Sequence, residues 1–214
     1  MLSRDEYLAA WSRWHGGADA AHGLVRAWLS AVYAVARPLA GLPPVVVTGL
    51  GLAVAAAAVA PAAAGGGWLV LAGVLVGLSG LLDSLDGALA IGTGRASRRG
   101  FVLDSAVDRL TEAAYAAALW VAGAPGFLAA AFGALCWLPD YLRARAGQAG
   151  VTETGALSVW ERPTRVILAG LTLGGAGVVP ALHLSVVTAG TGAGVVLGVV
   201  AVVQLARSLG RALR

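Results

Sequence analysis

The stretch WLVLAGVLVGLSGLLDSLDGALAI, residues 68–91, decides the fold. Residues 68–82 carry no charged side chain, yet Asp83 and Asp86 follow within the same apolar run. About 20 consecutive apolar residues suffice for a helix to cross the hydrocarbon core of a bilayer. An ionised carboxylate at such depth costs at least about 2.5 kcal/mol unless it faces a polar cavity or a cation. The stretch therefore reads as a membrane helix with functional acids toward one end.

The whole chain agrees with its most apolar segment. Its 214 residues are 58% hydrophobic and 12% charged, with a mean hydropathy of +0.80, whereas soluble domains carry about 25% charged residues. This composition excludes an intrinsically disordered chain and a water-soluble domain. The expected fold class is all-α and integral to the membrane, with six transmembrane helices and an N-terminal interfacial amphipathic helix. The spans read as Pro44–Ala64, Trp68–Ile91, Phe101–Ala122, Phe127–Arg145, Thr164–Leu184 and Val186–Leu205. Uncharged turns at Gly65–Gly67, at Gly123–Gly126 and around His183–Ser185 separate the pairs. Residues 1–40 form the interfacial segment and residues 41–214 the six-span domain. Tyr7, Leu8, Trp11 and Trp14 share one helical face, which Leu24, Val25, Trp28, Leu29 and Val32 continue beyond a break near Gly16–Gly17. A face mixing Trp with flanking Arg suits the membrane surface. No uninterrupted apolar core of a cleavable signal appears in residues 1–37.

All 15 basic residues are arginine. Six spans place every one on a single side, which the positive-inside rule makes cytoplasmic together with both termini. A bacterial inner (plasma) membrane is the expected location. The arginines form no single dense patch, so nucleic acid is not an expected partner. The single cysteine, Cys136, lies in an apolar run and excludes a disulfide framework or a thiolate metal site. His15, His22 and His183 are too scattered to ligate one metal. Gly73 with Gly77, and Gly190, Gly194 and Gly198, make small-residue ridges suited to close helix packing.

Five acids stand inside apolar segments: Asp83 and Asp86 at the end of span two, and Asp104, Asp108 and Glu112 at the start of span three. Spacings of i, i+3 and i, i+4 put each aspartate pair on one helix face. The short Gly92–Arg99 connection makes the two spans antiparallel neighbours, so the pairs can meet at one level. Four converging carboxylates require divalent cations, and oxygen-only ligation suits Mg²⁺, Mn²⁺ or Ca²⁺ rather than Zn²⁺. Two such ions about 3.5–4 Å apart clamp phosphate oxygens during in-line displacement. The competing reading pairs these acids with Arg95, Arg98, Arg99 and Arg109 as helix-end charges, and Arg109 with Glu112 fits it. Gly87 and Gly100 mark places of close backbone approach.

Asp83-Ser-Leu-Asp86-Gly87-Ala-Leu-Ala90, followed by Gly100-x3-Asp104-x3-Asp108, resembles the CDP-alcohol phosphotransferase signature D-x2-D-G-x2-A-R-x8-G-x3-D-x3-D, and every spacing agrees. Pro44-x3-Thr48-x2-Gly51 is similar to the segment that opens the family's first span. The resemblance implies that a CDP-linked lipid such as CDP-diacylglycerol binds two ions, Mg²⁺ or Mn²⁺, while an alcohol displaces CMP. It implies Asp83, Asp86 and Asp104 as metal ligands, Asp108 as ligand and catalytic base, and Thr48, Gly87 and Ser97 as CDP-lipid-binding positions. It also implies a homodimer. The chain departs from the family at Ile91, in place of Arg, and at Val45, in place of Asn. Arg95 is the expected substitute contact to the CDP-lipid.

Tyr141-Leu-Arg143-Ala-Arg145-Ala and Trp160-Glu161-Arg162-Pro-Thr-Arg165 each offer two arginines at the expected cytoplasmic mouth. Guanidinium groups recognise phosphate through bidentate hydrogen bonds, which favours a small phosphorylated alcohol as acceptor. These stretches resemble bacterial phosphatidylinositol phosphate synthases, so inositol phosphate leads and glycerol 3-phosphate is second. Two alternatives stand beside this reading. The arginines mark the cytoplasmic side alone, or the loss of Arg at position 91 marks a non-catalytic membrane remnant.

Overall fold

The structure, a computed structural model, describes residues 1–14, 20, 23–151 and 158–213. Gly16–Gly17, His15, His22 and Arg214 lie outside the described residues. Among the described residues all regular structure is helical. α1 (Arg4–Trp14) opens in a capping box: the Ser3 N–H donates to Glu6 Oε2 at 2.8 Å, and Ser3 Oγ accepts from the Glu6 N–H at 3.4 Å. α2 (Gly23–Ala36) tightens into a 3₁₀ turn at Arg37–Leu39.

The first apolar run forms two helices, α3 (Pro44–Ala57) and α4 (Val59–Ala64), rather than one. Pro61 supplies the reason: it has no N–H for the carbonyl of Ala57, so the helix is interrupted at Ala58. α5 (Trp68–Gly92), α6 (Arg98–Val121) and α7 (Gly126–Gln148) follow, then α8 (Arg162–Val178). A 3₁₀ turn at Pro180–Leu182 leads into α9 (His183–Ala212). The last turn thus falls earlier than His183–Ser185, because Pro180 cannot continue α8.

Three stretches among the described residues are long and apolar enough to cross a membrane: Pro44–Ala64, Trp68–Gly92 and Pro180–Ala212. The other three expected spans form as helices but are more polar or shorter. α6 carries four arginines or acids between Asp104 and Glu112, α7 ends with Asp140, Arg143 and Arg145, and α8 has 17 residues.

The chain forms two compact units, Met1–Ala53 with Ser79–Asp108, and Val54–Leu78 with Arg109–Arg214. In the first, Tyr7, Leu8, Leu29 and Val32 share a core with Val47, Leu85 and Leu89. Tyr7 stacks on Tyr33, whose hydroxyl donates to the Leu2 carbonyl at 2.8 Å, and the Leu2 N–H donates to the Gly92 carbonyl at 2.7 Å. Burial pushes the Tyr7 hydroxyl up to about 12. Trp14, Leu24, Val25 and Trp28 from the predicted N-terminal stripe stay exposed.

In the second unit α9 packs on α7 and α8, around Leu69, Tyr115, Phe132, Trp160 and Leu173. Cys136 is buried there. The small residues let backbones approach closely. A Cβ on Gly73 would stand 2.5 Å from the Gly170 carbonyl oxygen, and one on Gly177 would stand 2.6 Å from the Val70 nitrogen. Gly194 faces Phe132 and Gly198 faces Leu135 in the same way. Gly73, Gly190, Gly194 and Gly198 thus pack within the chain, whereas a Cβ on Gly77 would meet open space.

Candidate metal centre and an ion-pair network

In the first unit, α5 ends where Gly94 adopts φ +69°, the left-handed conformation that terminates helices. The N–H groups of Arg95 and Ala96 then donate back to the Ala90 carbonyl. The chain re-enters a helix at once, because Ser97 Oγ accepts the Gly100 N–H at 3.0 Å and so caps α6. This tight return brings the two acidic faces together. One carboxylate oxygen each from Asp83, Asp104 and Asp108 lies within 4.8 Å of the other two. Asp86 is 5% exposed, within electrostatic reach of all three, with the Thr48 hydroxyl against its carboxylate.

The donor set fits divalent cations. It contains only carboxylate oxygens, mutually close and partly screened from water, which repel one another without a positive charge between them. Asp86 Oδ2 is buried with no hydrogen-bond partner among the described residues. Such an oxygen is costly unless a cation satisfies it. Around it, Thr48 Oγ donates to the Pro44 carbonyl at 3.1 Å, and the side of Gly87 where a Cβ would project is open space. Arg95, lying beyond the end of α5, donates from Nη1 to the Leu42 carbonyl at 3.0 Å.

The second unit holds a network of charges. Arg143 grips Glu161 with both terminal nitrogens, Nη1 to Oε2 at 3.1 Å and Nη2 to Oε1 at 2.5 Å. The same Nη1 reaches Asp140 Oδ1 at 3.2 Å. Asp140 Oδ2 accepts from Arg109 at 2.7 Å and from Arg165 at 2.9 Å. Arg165, 1% exposed, also donates to Glu112 Oε1 at 2.6 Å and through Nε to the Trp160 carbonyl at 2.9 Å. Arg109 completes the ring with Glu112 at 3.3 Å, the pair expected from their spacing. Arg162 lies within electrostatic reach of Glu112, and Arg145 donates to Gln148 Oε1 at 2.6 Å. Burial pushes the Glu161 carboxyl up, but the bonds from Arg143 and Ser158 outweigh it and hold it below the ordinary carboxylate value.

Three of the four predicted aspartates therefore converge, and Asp86 lies within electrostatic reach of them. Of the predicted arginines, Arg143 and Arg165 meet on Asp140, whereas Arg145 is turned to its own helix end. Sequence reading missed Asp140 as their hub. The signal was present, since Asp140 follows Cys136-Trp-Leu-Pro in an apolar run, where a carboxylate is as unexpected as at the five acids that were singled out.

The chain is similar to several known proteins. The phosphatidylinositol phosphate synthase of Mycobacteroides abscessus is 35% identical over 156 residues, 67% of this chain and 69% of that protein. The enzyme of the same name from Corynebacterium glutamicum is 36% identical over 130 residues, 56% and 58% of the two chains. The archaetidylinositol phosphate synthase of Aeropyrum pernix is 38% identical over 104 residues, 47% of this chain and 53% of that protein. The chain thus spans about half the length of the archaeal relatives it matches. A crystal structure of Mycobacterium tuberculosis phosphatidylinositol phosphate synthase, in complex with manganese and citrate, superposes with a TM-score of 0.68 at 28% identity. The match covers 84% of this chain and 88% of that one. Residues 41–200, which include the aspartate signature, match the pattern that defines CDP-alcohol phosphatidyltransferases, and the chain belongs to that family.

Proposed function

We propose that this chain is a membrane phospholipid synthase that transfers the phosphatidyl group of CDP-diacylglycerol to a phosphorylated alcohol, inositol phosphate first, and releases CMP. The convergence of Asp83, Asp104 and Asp108, with Asp86 buried beside them, carries this reading. The names of the mycobacterial, corynebacterial and archaeal relatives all contain inositol phosphate, which supports that acceptor over glycerol 3-phosphate. The four aspartates would hold two divalent ions, Mg²⁺ or Mn²⁺, and the manganese in the M. tuberculosis structure supports that assignment. When bound, such ions offset the negative charge on the phosphoryl oxygens and on departing CMP.

The protein's own groups do the rest. Asp108 accepts the proton of the acceptor hydroxyl as that oxygen bonds to the lipid-side phosphorus and the bond to CMP breaks. Gly87 leaves room for the nucleotide beside Thr48, with Ser97 and Arg95 on the segment that joins α5 to α6. Arg143, Arg145 and Arg162 attract the phosphate of the acceptor, and Arg165, expected to join them, is buried and bonded to Glu112 and Asp140, which it holds in place. In this reading residues 41–214 form the six-span domain, with α3 and α4 together making the first span. Residues 1–40 lie at the interface through Trp14, Leu24, Val25 and Trp28. The arginines and both termini face the cytoplasm across a bacterial inner membrane, and the protein works as a homodimer.

Release of CMP tests the proposal. Purified protein supplied with Mg²⁺ or Mn²⁺ and CDP-diacylglycerol should turn over with inositol phosphate, more slowly or not at all with glycerol 3-phosphate or free inositol. Silence with every acceptor, in protein that binds the metal, would favour the non-catalytic remnant.

A further inference from the structure

Arg143 is held in an unusual way for a surface arginine. Its guanidinium is gripped from two sides by carboxylates on different segments, Asp140 one turn earlier on α7 and Glu161 just before α8. Glu161 is itself fixed, since Oε1 accepts both the N–H and the hydroxyl of Ser158 at 2.8 Å. Glu161 also stands at the N-cap of α8 and makes no capping bond with its side chain. It leaves the helix end uncapped and spends its charge on Arg143. Asp140 in turn is anchored by Arg109 and Arg165. Among the described residues, the two carboxylates engage three of the five guanidinium donors, and the Arg143 side chain keeps 19% of its surface exposed. Two donors are thus left beyond these three bonds, on a guanidinium that two carboxylates hold.

We infer that Asp140 and Glu161 are positioning residues that aim Arg143 at the phosphate of the acceptor. The inference rests on the acceptor reading above. Fixing the fork in advance removes the entropy that a free arginine would lose on binding, so affinity for the phosphate depends on the two carboxylates. Neither carboxylate touches the ligand, because a negative group repels phosphate, and both act through Arg143.

The test uses the 214-residue chain with the substitutions Glu161→Gln, Asp140→Asn, Arg143→Ala and Glu161→Gln combined with Arg143→Ala. CMP release with inositol phosphate and CDP-diacylglycerol gives KM for each substrate and kcat. Glu161→Gln should raise the acceptor KM about tenfold and leave kcat and the CDP-diacylglycerol KM within about twofold. Added to Arg143→Ala, the same change should alter the acceptor KM by less than about twofold, since nothing remains to be positioned. Asp140→Asn should follow the same pattern, and Glu161→Gln carries the test alone if that variant does not fold. An unchanged acceptor KM in Glu161→Gln overturns the inference, as does an equal effect with and without Arg143, or a parallel rise in the CDP-diacylglycerol KM. If the unsubstituted protein releases no CMP, the functional reading fails on its own. Calorimetric binding of inorganic phosphate to the same proteins then decides the positioning role by the same pattern, with failure of the unsubstituted protein to bind phosphate counting against it.

Discussion

Asp108 lies one helical turn beyond Asp104 on α6, and its carboxylate is one of the three whose oxygens approach within 4.8 Å. Replacing it with Asn keeps the size and one oxygen but removes the carboxylate that the proposed function makes the proton acceptor. Asp108→Asn should lower CMP release by at least about a hundredfold, with an unchanged helical circular dichroism spectrum, and activity near that of the unsubstituted protein would remove Asp108 as base. The acids of α5 and α6 were legible from the sequence because their partners sit three or four residues away, or across a short loop. Asp140 was not, although it too follows an apolar run. Two of its partners, Arg109 and Arg165, are 31 and 25 residues distant, and no local spacing announces a contact made by tertiary packing. Arg95 was expected as a nucleotide contact, and its bond to Leu42 depends on where α5 stops.

Among the helices, α5 bears the most varied demands. Its N-terminal half meets α8 backbone to backbone at Gly73 and Gly177, and its C-terminal half presents Asp83 and Asp86. A methyl group on Gly73 meets main-chain atoms of Gly170 and Gly174, which cannot swing aside as a side chain would. Gly73→Ala should therefore destabilise the protein by about 1–3 kcal/mol, seen as a lower melting temperature in detergent. Gly77→Ala, where a Cβ meets open space, should melt like the unsubstituted protein. The apolar runs were readable as helices because burial in lipid would demand internal backbone hydrogen bonding. Their ends were less so. Pro61 and Pro180 sit within apolar stretches, where hydropathy averaged over a window hides the single missing N–H that stops a helix.

For the whole molecule, the placement of arginine makes a directional claim. With six crossings, a tag following Arg214 should react with antibody in inside-out vesicles and be shielded in right-side-out ones, and the opposite result would refute the cytoplasmic assignment. The N-terminal helices illustrate how far sequence reading reaches at this scale. Their amphipathic stripe was evident, yet it is divided: Tyr7, Leu8, Leu29 and Val32 turn toward Leu85 and Leu89, while Trp14, Leu24, Val25 and Trp28 remain outside. Periodicity identifies an apolar face but not whether protein or lipid covers each residue. The burial of Cys136, the chain's single thiol, has a practical consequence. A buried thiol is shielded from reagents, so the natural protein should serve as a blank background for maleimides and nitroxide probes. Paired spin labels, one placed in each compact unit, would report the spacing between them in a native bilayer, with no need to engineer the original sulfur away.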